Sequence, residues 1–252
     1  MLTEPKFTTA QIECFKDQGF VIFPKAFDVA EAETIQDWTV ELTAAPEEPG
    51  RHWVYHETSL VDKNLSLINR IENMTPFHEG FRRLADSLLP SVGQLLGEEA
   101  VLFKDKINFK MPGGDGFKPH QDAQAGWEDY ADYFISVLVS IDPATHENGC
   151  LQLAPRPETE LVGREWEPLT ESETAKMTFS PVVTEPGDII YFDSYAPHMS
   201  QPNMTDQPRR LYFATYNRLS EGDHLSAYYA DKRKSFPPDI ERVAGKEYVY
   251  RV

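Results

Sequence analysis

The sequence predicts an α+β fold with a mainly β core, a double-sheet jelly roll whose N-terminal helices pack on one sheet. Helical patterns fall in residues 1–100, short apolar or alternating runs fill residues 101–218, and the two kinds do not alternate. A parallel doubly wound sheet is thereby disfavoured. Thr8 and Gln11 form a capping box ahead of Ile12 and Phe15, predicting a first helix that Gly19 stops. Phe20 to Phe23 reads as a short strand, and Asp28 with Glu31 caps a second helix carrying Ile35, Trp38 and Leu42. Residues 44–66 read as a loop in which His52, Trp53, Tyr55 and His56 form a candidate lid. A third helix is expected from Thr75-Pro76 through Phe77, Phe81, Leu84 and Leu88, with Pro90 as its break or kink. Candidate strands follow at 101–110, 117–122, 133–141, 150–154, 178–184, 188–193 and 209–218, each bounded by turn residues. Beyond Leu219 the pattern is irregular, with room for one helix.

A chain of 252 residues with 40% hydrophobic content buries a sizeable core, and no linker, repeat or low-complexity tract divides it. The reading is one domain over 1–252. A net charge of -17 argues against nucleic-acid or anionic-membrane partners. No signal-like start or long apolar run is present, so a cytoplasmic protein acting on a small molecule, as a monomer or homodimer, is expected. Cys14 and Cys150 are too few and too far apart for a disulfide framework or a zinc-thiolate site.

Three residues suggest the chemistry. His120 and Asp122 in PHQDA would project to one face of a strand, and His198 in APHMS follows the apolar run IIYFDS. A lone His-x-Asp is ordinarily a surface pair beside a turn, and a lone His198 could be a capped loop histidine. Together they supply two imidazoles and one carboxylate, a donor set that fills one face of Fe(II) and leaves room for a chelating co-substrate and O2. Gly113, Gly114, Gly116, Ala123 and Ala125 would permit close backbone approaches there. Alternation places Arg209 with Leu211 and Phe213, where an inward guanidinium needs an anion; its fork suits the distal carboxylate of 2-oxoglutarate. Lys104, Lys106, Asn108 and Lys110 share another strand face, either a solvated exterior or the lining of the barrel mouth. In the second case Asn108 would meet 2-oxoglutarate, while Lys106 and Lys110 meet an anionic substrate. Gln121, Trp127 and Tyr133, near the ligand strand, complete the candidate substrate residues. A jelly-roll protein that only binds a metal or carboxylate, and a zinc hydrolase using the same ligands, are the competing classes.

INFKMPGGDGFKPHQDA, ENGCLQLAP, PGDIIYFDSYAPHMSQPN and RRLYFATYN resemble the phytanoyl-CoA dioxygenase family of Fe(II)/2-oxoglutarate oxygenases. The resemblance implies a double-stranded β-helix, iron ligands His120, Asp122 and His198, and Arg209 with Ser200 and Asn108 on 2-oxoglutarate. Asp122 also favours hydroxylation, because halogenating relatives carry a small residue there. Where family members often have a Pro-Gly-Ser-His turn, this chain has Ala154-Pro155-Arg156-Pro157, which leaves that loop's shape open. LINRIEN and INFKMPGG resemble members that hydroxylate 2-aminoethylphosphonate, implying a small anionic or zwitterionic substrate; an amino-acid derivative or secondary metabolite is the alternative.

Overall fold

The computed structural model describes residues 2–248. Helix α1 (Thr9–Gln18) and strand β1 (Phe20–Phe23) open the chain, followed by α2 (Val29–Ala44), β2 (Trp53–Thr58), β3 (Ser66–Glu72) and α3 (Glu79–Leu96). The barrel strands are β4 (Ala100–Lys110), β5 (Phe117–His120), β6 (Ile135–Ser140), β7 (Leu151–Leu153), β8 (Ser180–Pro181), β9 (Ile189–Asp193), β10 (His198–Ser200) and β11 (Arg209–Arg218). A single helical turn α4 (Glu171–Thr174) precedes β8, and α5 (Leu225–Ser235) follows β11. A seven-stranded antiparallel sheet in the order β1-β9-β6-β11-β4-β3-β2 faces a four-stranded sheet in the order β5-β10-β7-β8. This is the jelly roll expected from the sequence.

Strand alternation divides the core into two layers. Ile107, Phe109, Val137, Val139, Tyr212 and Ala214 point outward and pack with Phe81, Leu84, Leu88 and Val92 of α3. Leu138, Leu151, Leu153, Ile190, Phe192, Leu211 and Phe213 point inward, between the sheets. Both expected capping boxes, Thr8 with Gln11 and Asp28 with Glu31, start α1 and α2.

Several expectations need correction. The stretch read as a loop at 44–66 contains β2, with Trp53 and Tyr55 buried at 1% and 3% exposure, so they and the buried His52 do not form a lid. β1 is the short strand expected at Phe20–Phe23, but β2 and β3 are not among the expected elements, and all three extend the large sheet. α3 starts at Glu79 rather than Thr75, because the Asp105 carboxylate accepts the Met74 and Thr75 amides and His78 Nδ1 accepts the Phe81 amide. Pro90 does not end α3, whose Leu88 and Val92 are fully buried on either side of it. The run at 178–184 reduces to the two-residue strand β8 and an isolated bridge from Thr184 to Ala144. Gly113 and Gly116 do not approach the ligand cluster: a Cβ on Gly113 would meet Ser59 and Val61, and one on Gly116 the Ser200 carbonyl.

Candidate active site

His120 ends β5 and lies directly opposite His198, the first residue of β10, with ring centroids 4.2 Å apart. Asp122 is not on the strand but opens a 3-10 turn, Asp122–Ala125, anchored where the Ala123 amide donates to the Ser194 carbonyl. The ligand atoms of His120, Asp122 and His198 all lie within 4.8 Å of one another. His120 Nδ1 is 2.8 Å from the Lys118 carbonyl and His198 Nδ1 is 3.0 Å from that of Ala196. A carbonyl can only accept, so each Nδ1 carries the proton and each Nε2 keeps its lone pair. Burial, reinforced by His198, pushes His120 down to about 3, and burial also lowers His198, so both rings are neutral, the metal-binding form. Burial alone would raise Asp122, but His198, Lys104 and Lys106 outweigh it and hold the carboxyl well below its usual range.

The cavity beside these residues is small, about 40 Å³, and its lining includes Asn108, Ser200, Arg209, Leu211 and Phe213. Arg209 is 2% exposed, its Nε has no hydrogen-bond partner, and no ion pair engages it among the described residues. Burial pushes its pKa down to about 10. Asn108 Oδ1 is likewise buried without a partner. Arg210, one residue on, faces outward into a bidentate pair with Asp142, so alternation turns the unpaired arginine toward the metal site. Two neutral imidazoles, a carboxylate and an orphaned guanidinium fit Fe(II) plus a dicarboxylate co-substrate.

The family model described as phytanoyl-CoA dioxygenase matches residues 15–211. The chain belongs to the phytanoyl-CoA dioxygenase family. It is an Fe(II)- and 2-oxoglutarate-dependent dioxygenase that uses O2. It is 43% identical over 247 residues to a 2-aminoethylphosphonate dioxygenase from an uncultured bacterium (HF130_AEPn_1), covering 96% of this chain and 94% of that one. It is 37% identical over 235 residues to a methylphosphonate hydroxylase from Gimesia maris, covering 91% and 88%. The fold also matches the crystal structure of EctD from S. alaskensis with 2-oxoglutarate and 5-hydroxyectoine, at a TM-score of 0.73 and 23% identity over 87% of this chain and 80% of that chain.

Within this family fold, the other candidate residues separate. Lys104 and Lys106 line the inner cavity, and both also line an outer cavity of about 540 Å³, so they stand where the two meet. Lys104 Nζ lies 3.8 Å from the centre of the Trp127 ring, and Trp127 lines the outer cavity. Lys110 faces inward but is engaged: its Nζ donates to Ser200 Oγ at 2.7 Å and to the Gly149 and Gln201 carbonyls, and burial, reinforced by Arg209, pushes its pKa down to about 6. Lys110 is thereby tied to Ser200 and the Gly149 and Gln201 backbone, and it does not line the outer cavity. Gln121 is fully buried, donating to the Glu160 and Tyr195 carbonyls and accepting the Val162 amide, so it holds a loop instead of lining a cavity. Tyr133 donates to Asp193 and also lies outside both cavities. The departure at Ala154–Pro157 has a structural use: Arg156 pairs with buried Asp193 at 2.7 Å and donates to the Lys16 carbonyl, tying α1 to the strand that precedes His198.

Sequence reading passed over Gln124, Trp166, Glu72 and Ser136. Gln124 donates to the Arg164 and Glu167 carbonyls, stitching down the loop that carries Trp166 into the outer cavity. Trp166 has φ +64, and its ring packs against Gly126, itself at φ +68, where a Cβ would come within 2.2 Å of a ring carbon. The Trp-Gly fit was invisible because the two residues are forty positions apart. Glu72 lies beside Lys106 in the β3–β4 ladder and is held to about 2, burial opposing but Lys232 and Arg70 prevailing.

Proposed function

We propose that this chain hydroxylates a small organophosphonate, with 2-aminoethylphosphonate as the favoured substrate. The observation that carries this reading is the pair Lys104 and Lys106. Their ammonium groups stand at the junction of the two cavities, against the Trp127 and Phe213 rings at 3.8 and 5.2 Å, and neither has an ion-pair partner among the described residues. Burial lowers the pKa of Lys104, and the opposing charges near the two lysines, Asp122 and Glu72, are a metal-ligand candidate and a carboxylate already held by Arg70 and Lys232. A bound dianion would favour both ammonium forms, and two lysines suit a phosphonate. The names of the relatives from the uncultured bacterium and from Gimesia maris agree with that chemistry. Among the carboxylates lining the outer cavity, Glu72 is held by Arg70 and Lys232 and Asp231 by Lys234, while Asp129 offers a substrate ammonium a counter-charge and so favours an aminoalkyl phosphonate over methylphosphonate.

In this reading His120, Asp122 and His198 would hold Fe(II), while Arg209, with Ser200 and Asn108, would bind the distal carboxylate of 2-oxoglutarate. Bound Fe(II), with the co-substrate and O2, supplies the oxidation: the substrate gains a hydroxyl, and 2-oxoglutarate leaves as succinate and CO2. Lys104 and Lys106 would orient the substrate, and the apolar walls Leu151, Phe192, Leu211 and Phe213 would keep water out. The test is aerobic turnover with Fe(II) and 2-oxoglutarate, following succinate together with the phosphorus NMR shift of each phosphonate. Succinate formed in step with a new 2-aminoethylphosphonate-derived resonance is expected. Coupled turnover of an amino-acid derivative with no phosphonate consumed would refute the proposal.

A further inference from the structure

Two hydroxyls that no sequence motif singles out converge behind Asp122. Ser136 on β6 and Thr215 on β11 stand directly opposite each other in the antiparallel ladder, at 1% and 2% exposure. Ser136 Oγ lies 2.8 Å from Asp122 Oδ2 and 3.0 Å from Thr215 Oγ1. A hydroxyl has one proton, and an ionised carboxylate has none to donate. Ser136 therefore donates to Asp122, which leaves its oxygen to accept the proton of Thr215. The hydrogen bonds run one way, from Thr215 through Ser136 to Asp122.

Resting on the iron-site reading above, we propose that Ser136 is a positioning residue for Asp122, with Thr215 fixing the direction of its proton. Ser136 holds Oδ2 toward β6 and leaves Oδ1, the oxygen 3.9 Å from His198 Nε2, as the one presented to the metal. A carboxylate with both oxygens free can ligate through both. It would then occupy a position that a chelating co-substrate and oxygen require. Hydrogen bonds to the outer atoms of metal ligands commonly tune affinity in this way. Both hydroxyls sit on the two neighbouring strands at the centre of the large sheet, so their separation is set by the ladder rather than by a mobile loop.

The test measures the anaerobic Fe(II) dissociation constant and the visible band of the Fe(II)–2-oxoglutarate chelate in Ser136→Ala, Thr215→Val and Thr215→Ser. Ser136→Ala is expected to weaken Fe(II) by about 10–100-fold and to shift the band. Thr215→Val, which keeps Ser136 but removes the donor behind it, should have a smaller effect, and Thr215→Ser should match the wild type. If Ser136→Ala fails to fold, the contrast between valine and serine at 215 still decides, because valine keeps the bulk and serine keeps the hydroxyl. Wild-type affinity and band in Ser136→Ala would overturn the proposal, as would equal losses in the two Thr215 variants. A wild-type protein that forms no band at all would overturn the iron-site reading itself, and this inference with it.

Discussion

Replacing Arg209 by methionine should stabilise the ligand-free protein and abolish its response to 2-oxoglutarate, two effects of opposite sign from one side chain. The guanidinium is 2% exposed, and burial pushes its pKa from 12.5 down to about 10. A base with a lowered folded pKa is still charged at neutral pH in both states, so the folded state carries the cost. That difference corresponds to about 3 kcal/mol at most. Methionine forgoes some aliphatic contact, which leaves a net gain of about 1–3 kcal/mol, or about 2–10 °C in melting midpoint for a chain of this size. Against this, a charge-assisted bidentate bond to a carboxylate contributes about 1.5–3 kcal/mol. Its loss should raise the KM for 2-oxoglutarate by about 10–150-fold. The assay is thermal melting with and without 2-oxoglutarate and a redox-silent divalent metal, together with steady-state kinetics. A methionine variant that melts below the wild type and keeps the ligand-induced rise would refute the claim that an unpaired buried charge awaits a carboxylate.

Lys104→Met and Lys106→Met should each raise the KM for an anionic substrate by about tenfold or more, the loss of one charge-assisted bond, with the KM for 2-oxoglutarate unchanged. Lys110→Met should do the reverse, since its Nζ meets Ser200 and not the outer cavity; a substrate-only effect would contradict that placement. Asp122→Ala should abolish succinate formation, and retained turnover would sink the assignment of the three ligands. Burial raises Asp105 from 3.8 to about 7 despite the donated amides of Thr75 and Met74, so its contribution to stability is present at low pH and lost as pH rises toward and through 7. Asp105→Asn should flatten that part of a melting-versus-pH curve, and a slope identical to the wild type would count against it. Gly126→Ala should cost about 1–3 kcal/mol, through a left-handed backbone and a collision with Trp166, read as a lower melting midpoint and altered substrate KM.

Much of the site could be read locally. The period of two in β4 and β11 placed Lys104, Lys106 and Asn108 on one face and Arg209, Leu211 and Phe213 on another, because successive side chains in a strand point to opposite sides. The capping boxes of α1 and α2 were legible for the same reason: each bond joins residues three apart. The candidate metal cluster His120, Asp122 and His198, and the family resemblance, were also legible in the sequence alone. The alternation could not say which face looks inward, since a strand is indifferent to what covers it. That depended on α3 packing over Ile107 and Tyr212, which turned the lysines and Arg209 toward the opposite sheet. Tertiary contacts likewise separated Lys106 from Lys110, withdrew Gln121 into a loop, drew β2 out of a stretch rich in Pro and Glu, and set Ser136 and Thr215 behind Asp122. Those arrangements join residues 14 to 90 positions apart, and only the folded chain brings such residues within hydrogen-bonding range.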